Sequence, residues 1–323
     1  MIVRWGLDSL AAACAEAGVS SPLLIASPRW ESLELPVEPV AVWREVPSDR
    51  IAEAVAAARG ADGLLAVGGG SAIDLGKAIS AATGLPLVSV PTTYVGAEWT
   101  SYFGVRDPER RMRGGGGGAR PTAIVYEPEL ALSLPAQTTV GTAMNALAHC
   151  AEALYVQGHN PAADEHALAG ASLIAKWLPR VVSAPQELEA RTELLRGACH
   201  GGAALAGSML ALAHAMAQAI GGRYGLPHGT LNGICLPPVL RFNTPFAPEA
   251  VARFGEAVDD PGDPAGRVES LAALAGPTRL SELGVPEDDL PGLAADAAGR
   301  GGNLANPQPA SPDEIEQLLR RVY

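Results

Sequence analysis

Of the six histidines in the chain, three stand, with one asparagine, where chemistry is a natural explanation. Asn145 and His149 lie four apart in a run of helical period, residues 142–154, so both project from one helix face. His214 sits inside a later apolar stretch, where a plain core helix would carry Ala or Leu, and His228 follows in the turn Leu226-Pro227-His228-Gly229. A neutral imidazole buried in such a place needs a hydrogen-bond partner. Taken singly, each reads as a satisfied core residue. Three converging on one point would make a metal site or a set of donors for a developing oxyanion.

A second constellation binds rather than reacts. Gly68-Gly69-Gly70-Ser71 follows the apolar run 64–67 and precedes a helical run containing Asp74 and Lys77. Strand, glycine turn and helix start together expose backbone N–H groups to a pyrophosphate at the positive end of a helix. A side chain would hold the ligand away from those amides, and Ser71 can cap the helix or add a hydroxyl. A plain strand-to-helix connection has the same local pattern. Pro91-Thr92-Thr93, after the next strand, offers two hydroxyls at the same sheet edge, or a cap for the next segment. Ser27-Pro28-Arg29 follows the run 23–26, where a dinucleotide-binding sheet often carries an acid for the adenosine 2′-hydroxyl. No acid stands there and Arg29 can pair with a 2′-phosphate, so both NAD and NADP are expected to be accepted.

These groups need strand ends and helix faces to position them. Residues 7–95 alternate: helix-like 7–17, strand-like 23–26, helix-like 50–59, strand-like 63–67, helix-like 72–82 and strand-like 86–90. Such alternation predicts βαβ units and a parallel sheet. Residues 101–107 and 122–126 read as two strands of a hairpin near the sheet edge, with the five-glycine run 114–118 as the flexible turn between them. After Pro135 the strand signals nearly vanish and Ala/Leu-rich helical stretches take over. The expected domains are 1–135, α/β and dinucleotide-binding, and 136–323, all-α and carrying the histidines. The uncharged run 203–220 is long enough to raise the question of a membrane span, but it contains Ser208, His214 and Gln218 and reads as a buried core helix.

Composition excludes other classes. A net charge of −12 without a basic stripe disfavours nucleic acid as a partner. Hydrophobic residues make up 48% of the chain but aromatics only 5%, which suits close helix packing more than an all-β sandwich. The four cysteines, Cys14, Cys150, Cys199 and Cys235, form no CxxC pair, and the first residues lack the blocks of a signal peptide, so a cytoplasmic protein with reduced thiols and no membrane partner is expected.

Taken together, Gly68-Gly69-Gly70-Ser71 with Asp74 and Lys77, Pro91-Thr92-Thr93 with Gly96 and Glu98, Asn145-Ala-Leu-Ala-His149 with Glu152, His214, and Leu226-Pro227-His228-Gly229 resemble the iron-containing alcohol dehydrogenase family in order and spacing. The resemblance spans residues 60–243 and implies a Rossmann-like α/β N-terminal domain, an all-α C-terminal domain, as in the dehydroquinate synthase-like architecture, and a cleft holding cofactor and substrate. In metal-using members an Asp matches Asn145 and binds a divalent ion, Fe or Zn, with histidines matching His149, His214 and His228. An amide there removes one negative charge and weakens the hold on the ion. Asn in this context resembles the maleylacetate reductase branch. Gln218 stands where many relatives carry a further histidine beside the substrate, and it cannot exchange a proton near neutral pH.

The resemblance implies an NAD(P)-dependent oxidoreductase in which a hydride goes to an unsaturated oxo-dicarboxylate, giving 3-oxoadipate, with Asn145, His149, His214 and His228 around the reacting atoms. Lys77 and Arg223 are candidate cations for the substrate carboxylates, or solvated surface charges. The family is often dimeric, so a homodimer is expected. The rival readings are a metal-dependent alcohol or aldehyde dehydrogenase, a non-redox lyase or cyclase like dehydroquinate synthase, and a catalytically idle binding member.

Overall fold

The computed structural model describes all 323 residues, which form two compact units, Met1–Ser133 and Leu134–Tyr323. In the first, strands β1 (Ile2–Trp5), β2 (Pro22–Ile25), β3 (Ala41–Trp43), β4 (Gly63–Gly68), β5 (Leu87–Pro91) and β8 (Ala123–Tyr126) make a six-stranded sheet. Its order is β1-β8-β5-β4-β2-β3 and every pair is parallel. Helices α1 (Leu10–Glu16), α2 (Ile51–Ala57) and α3 (Gly70–Thr83) cover it. Alternation along β4 explains why both faces are apolar. Leu65 and Val67 join Leu10, Ala13 and Cys14 in one core, while Leu64 and Ala66 join Ala54, Leu75 and Ile79 in the other.

The chain leaves β2 for β3 on one side and returns to β4 on the other, so the winding reverses between β2 and β4. At such a point the connections diverge and leave a crevice beyond the carboxyl ends of the strands, where ligands of open α/β sheets bind. Ser27 and Gly69–Gly70 follow the carboxyl ends of these two neighbouring strands.

Two expectations are corrected here. Residues 122–126 do not pair with 101–107; they enter the main sheet as β8, parallel to β1 and β5. The partner of β6 (Phe103–Arg106) is β7 (Met112–Gly116), an antiparallel strand that includes the first three residues of the glycine run. All five residues of β7 are exposed, so backbone pairing alone defines it and no side-chain alternation betrays it. The edge strands β1 and β3 were likewise not predicted; each is three or four residues long and only partly buried.

The second unit is all helical: α4 (Ala136–Ala153), α5 (Pro161–Ser183), α6 (Leu188–Gly207), α7 (Leu212–Tyr224), α8 (His228–Asn243), α9 (Pro248–Ala257), α10 (Pro264–Ala272), α11 (Leu290–Ala298), α12 (Gly301–Leu304) and α13 (Pro312–Arg321). Helix α4 runs through the middle, buried on nearly every side, and packs against α5, α6 and α8. The run 203–220 is not one helix. It breaks after Gly207, and α7 leaves at 100° to α6 with Ala211 extended as its N-cap. No single helix is long and apolar enough to cross a membrane. The break matters because it gives His214 a place in the first turn of a new helix.

Candidate active site

At the carboxyl edge of the sheet the glycine turn and the threonine turn meet. Gly68 and Pro91 are in register, and Thr92 N–H donates to Gly68 O at 3.0 Å. Helix α3 starts at Gly70 with Gly69 as N-cap, and no side chain caps it. Ser71 lies inside the first turn, so of its two readings, cap or added hydroxyl, the cap does not hold. A Cβ on Gly69 would sit 2.9 Å from Thr93 Cγ2, so any larger residue must push Thr93 aside, and Thr93 Oγ1 is buried with no partner. Uncapped first-turn amides, a glycine cradle and an orphan hydroxyl fit a diphosphate.

Other sequence-nominated groups of this unit are engaged internally. Asp74 Oδ2 accepts from Gly104 N–H at 3.1 Å, and its Oδ1 lies 2.8 Å from Lys77 Nζ, so it secures β6 against α3. Lys77 is only 1% exposed and also donates to Ala97 O at 2.9 Å and to Tyr102 O. Its ammonium has three N–H donors and they are used inside this unit; this corrects its assignment to the substrate. Ser27 opens a short 3-10 turn, Pro28–Trp30, and Arg29 donates to Ser133 Oγ at 2.6 Å and to Ser133 O at 3.0 Å.

The helical unit brings the three histidines together. Asn145, His149 and Glu152 occupy one face of α4, at spacings of four and seven residues. His228 opens α8, where Gly229 lies so close to Gly141 that a Cβ would come within 2.1 Å of the Gly141 carbonyl oxygen; the two helices can meet there only through glycine. The His149 and His214 rings stack with centroids 4.8 Å apart, and His214 and His228 are 5.5 Å apart.

Amide groups stitch this cluster. Asn232, one turn after His228, points Nδ2 at Asn145 Oδ1 (2.6 Å) and at His228 Nε2 (3.2 Å). Asn145 in turn places its own Nδ2 3.3 Å from His149 Nε2. An amide nitrogen only donates, so both imidazoles accept at Nε2. Glu152, fully buried, accepts from His214 Nδ1 at 2.7 Å, from Ala211 N–H at 2.8 Å and from His214 N–H at 3.1 Å. Burial, with His214 and His228 alongside, pushes His149 well below the ordinary imidazole range and keeps it neutral. Three buried atoms in the cluster have no partner: His149 Nδ1, His214 Nε2 and Asn232 Oδ1. Buried polar atoms left open in this way mark where a ligand would complete the network.

The chain matches the family model described as iron-containing alcohol dehydrogenase over residues 6–128, and the one described as its C-terminal part over residues 139–323. It belongs to the iron-containing alcohol dehydrogenase family. Among similar proteins of this family, maleylacetate reductase of Burkholderia cepacia is 37% identical over 264 residues, covering 82% of this chain and 74% of that protein. Maleylacetate reductase of Pseudomonas sp. (strain P51) is also 37% identical, over 281 residues, covering 86% and 79%. The crystal structure of maleylacetate reductase from Agrobacterium tumefaciens superposes with a TM-score of 0.90 at 30% identity, covering all of this chain and 95% of that one.

The metal implied by the family does not fit the residues as arranged. The Nε2 atoms of His149 and His228 face amide N–H groups, and no three His, Cys, Asp or Glu side chains converge closely enough to hold an ion. The fourth position is a neutral amide that is itself engaged on both sides. Of the remaining nominated residues, Gln218 is half-buried one turn beyond His214 on the same face of α7. Arg223 lies nine residues beyond His214, about 14 Å along the helix axis, exposed and paired with Asp289 at 2.8 Å. This places it outside the histidine cluster, paired at the surface. Sequence reasoning also missed Asn232 and the part played by Glu152. Asn232 repeats, in reverse order, the i, i+4 pairing of Asn145 with His149, a readable signal; Glu152 was named with the Asn145–His149 motif but given no role, although it lies on the same helix face.

Proposed function

We propose that this chain is an NAD(P)H-dependent reductase of the maleylacetate type, acting on an unsaturated oxo-dicarboxylate. The observation that carries the reading is Asn145, an amide bonded between His149 and Asn232 where metal-using relatives have a carboxylate. The 37% identity to maleylacetate reductases supports it.

The residues suited to the nucleotide are Gly68, Gly69, Gly70 and Ser71, with Thr92 and Thr93 at the next strand end and Ser27 and Arg29 after β2. No acid follows β2, so NADH and NADPH both serve. The nicotinamide supplies the hydride. The hydride adds to the carbon β to the oxo group, the alkene π pair moves to form an enolate on the oxo oxygen, and a proton then adds at the α-carbon. His149, with Nδ1–H open, suits the oxyanion, while the His214 Nε2 lone pair can take up a proton from solvent and pass it to the α-carbon, returning to the neutral Nδ1–H ring. Asn145 and His228 hold the ring orientations through the amide chain. Gln218 offers an amide to the substrate and no proton.

The test is a panel of maleylacetate, simple aldehydes and primary alcohols, followed by NAD(P)H absorbance with and without added Fe²⁺ or Zn²⁺. Turnover of maleylacetate without added metal is expected. Turnover of aldehydes alone, dependent on metal, would replace this reading with that of a metal-dependent alcohol dehydrogenase. A homodimer in the cytoplasm is part of the same proposal, and light scattering of the purified protein reads its assembly state.

A further inference from the structure

Glu152 has no solvent contact and three bonds, all to N–H donors. Two of these donors are backbone amides at the start of α7: that of the N-cap Ala211, and that of His214 three residues on. Ala211 has no side chain able to cap this helix, so a carboxylate from α4 does it instead. The third donor is the His214 ring itself. One carboxylate therefore fixes the His214 backbone and side chain together, and ties them to the helix that carries Asn145 and His149.

The consequence lies in the tautomer. An acceptor-only group 2.7 Å from Nδ1 requires the proton on Nδ1, which leaves Nε2 as the ring position with its lone pair open. Nε2 is buried and has no partner in the protein. His149 and His228 differ, because amides engage their Nε2 atoms. We infer that Glu152 is the positioning residue of the site: it holds His214 as the Nδ1–H tautomer and so makes its Nε2 a proton acceptor open to substrate, where the open Nδ1 of His149 is a donor. This rests on the proposed reductase reading for its catalytic consequence, but the tautomer itself does not depend on any substrate.

The test has two arms. In the wild-type protein labelled with ¹⁵N-histidine, with His214→Gln used only to assign the signal, His214 is expected to show a protonated Nδ1 and an unprotonated Nε2. The opposite tautomer overturns the inference, whatever any variant does. Glu152→Gln puts an amide against a set of N–H donors, and it is expected to shift His214 toward the Nε2–H form and to lower kcat by about 10²–10⁴-fold, with KM and NADH binding changed less than about threefold. Glu152→Asp keeps the acceptor character and is expected to recover at least about tenfold of the lost kcat. Glu152→Gln with wild-type kcat, or with equal losses in NADH binding and kcat, overturns the positioning role. If the wild-type enzyme fails to reduce maleylacetate, the functional reading falls while the tautomer measurement still decides this one.

Discussion

Asn232 donates to Asn145 across 2.6 Å, joining α8 to α4 at the centre of the histidine cluster. The bond places an amide, where metal-using relatives have a carboxylate, in the middle of a chain of N–H donors. In the proposed reading, this contact is what sets the cluster apart from a metal site.

Restoring the carboxylate should therefore restore ion binding. Asn145→Asp adds a negative charge beside three imidazoles, keeps the acceptor for Asn232, and removes the donor facing His149 Nε2. Zn²⁺ affinity measured by calorimetry is expected to rise at least about tenfold over wild type, roughly 1.4 kcal/mol. Equal affinities in the two proteins would show that residue 145 does not control the site.

His228→Ala removes a ring from the cluster. Turnover should fall by about 10²–10³-fold, with the NADH dissociation constant, read by fluorescence titration, within about threefold of wild type. A fully active variant would remove His228 from the mechanism.

Gly69→Ala tests the nucleotide edge. The added Cβ meets Thr93 Cγ2 at 2.9 Å and intrudes on the cradle formed by the first amides of α3. The expected result is a rise in KM for NADH of about tenfold, with kcat at saturating NADH reduced less than about threefold and an unchanged circular dichroism spectrum. An unaltered KM would mean that the diphosphate binds elsewhere.

A pH signature comes from Glu98. Its carboxyl is buried in the first unit, and burial pushes it above its ordinary value of 4.5 despite the bond from the Tyr126 hydroxyl at 2.7 Å. The native state then holds the proton more tightly than the unfolded chain. Stability is lost as pH rises from 4.5 through the raised native value. Glu98→Gln retains an acceptor for Tyr126 and cannot ionise, so its stability relative to wild type should increase as the pH rises from 4.5 to 8. Denaturant titrations at both pH values measure this; a difference independent of pH would contradict it.

The residues alone made certain things plain because the signals are local. The strand, glycine turn and helix at residues 63–83 read correctly since a short apolar run, a glycine turn and a pattern of period 3.6 stand in consecutive residues. Asn145 and His149 were legible as a pair for the same reason: one helical turn separates them. What only the tertiary structure decided involves partners far apart in the chain. Lys77 could not be known as an internal cation until residues 97–102 folded over it, and β8 could not be placed between β1 and β5 by any local pattern. The bonds that define the site span 87 residues from Asn145 to Asn232 and 62 from Glu152 to His214. Hydrogen bonds need atoms within about 3.5 Å in the right orientation. Spacing along a helix can bring a residue to the correct face, but only the packing of α4, α7 and α8 determines which groups meet there.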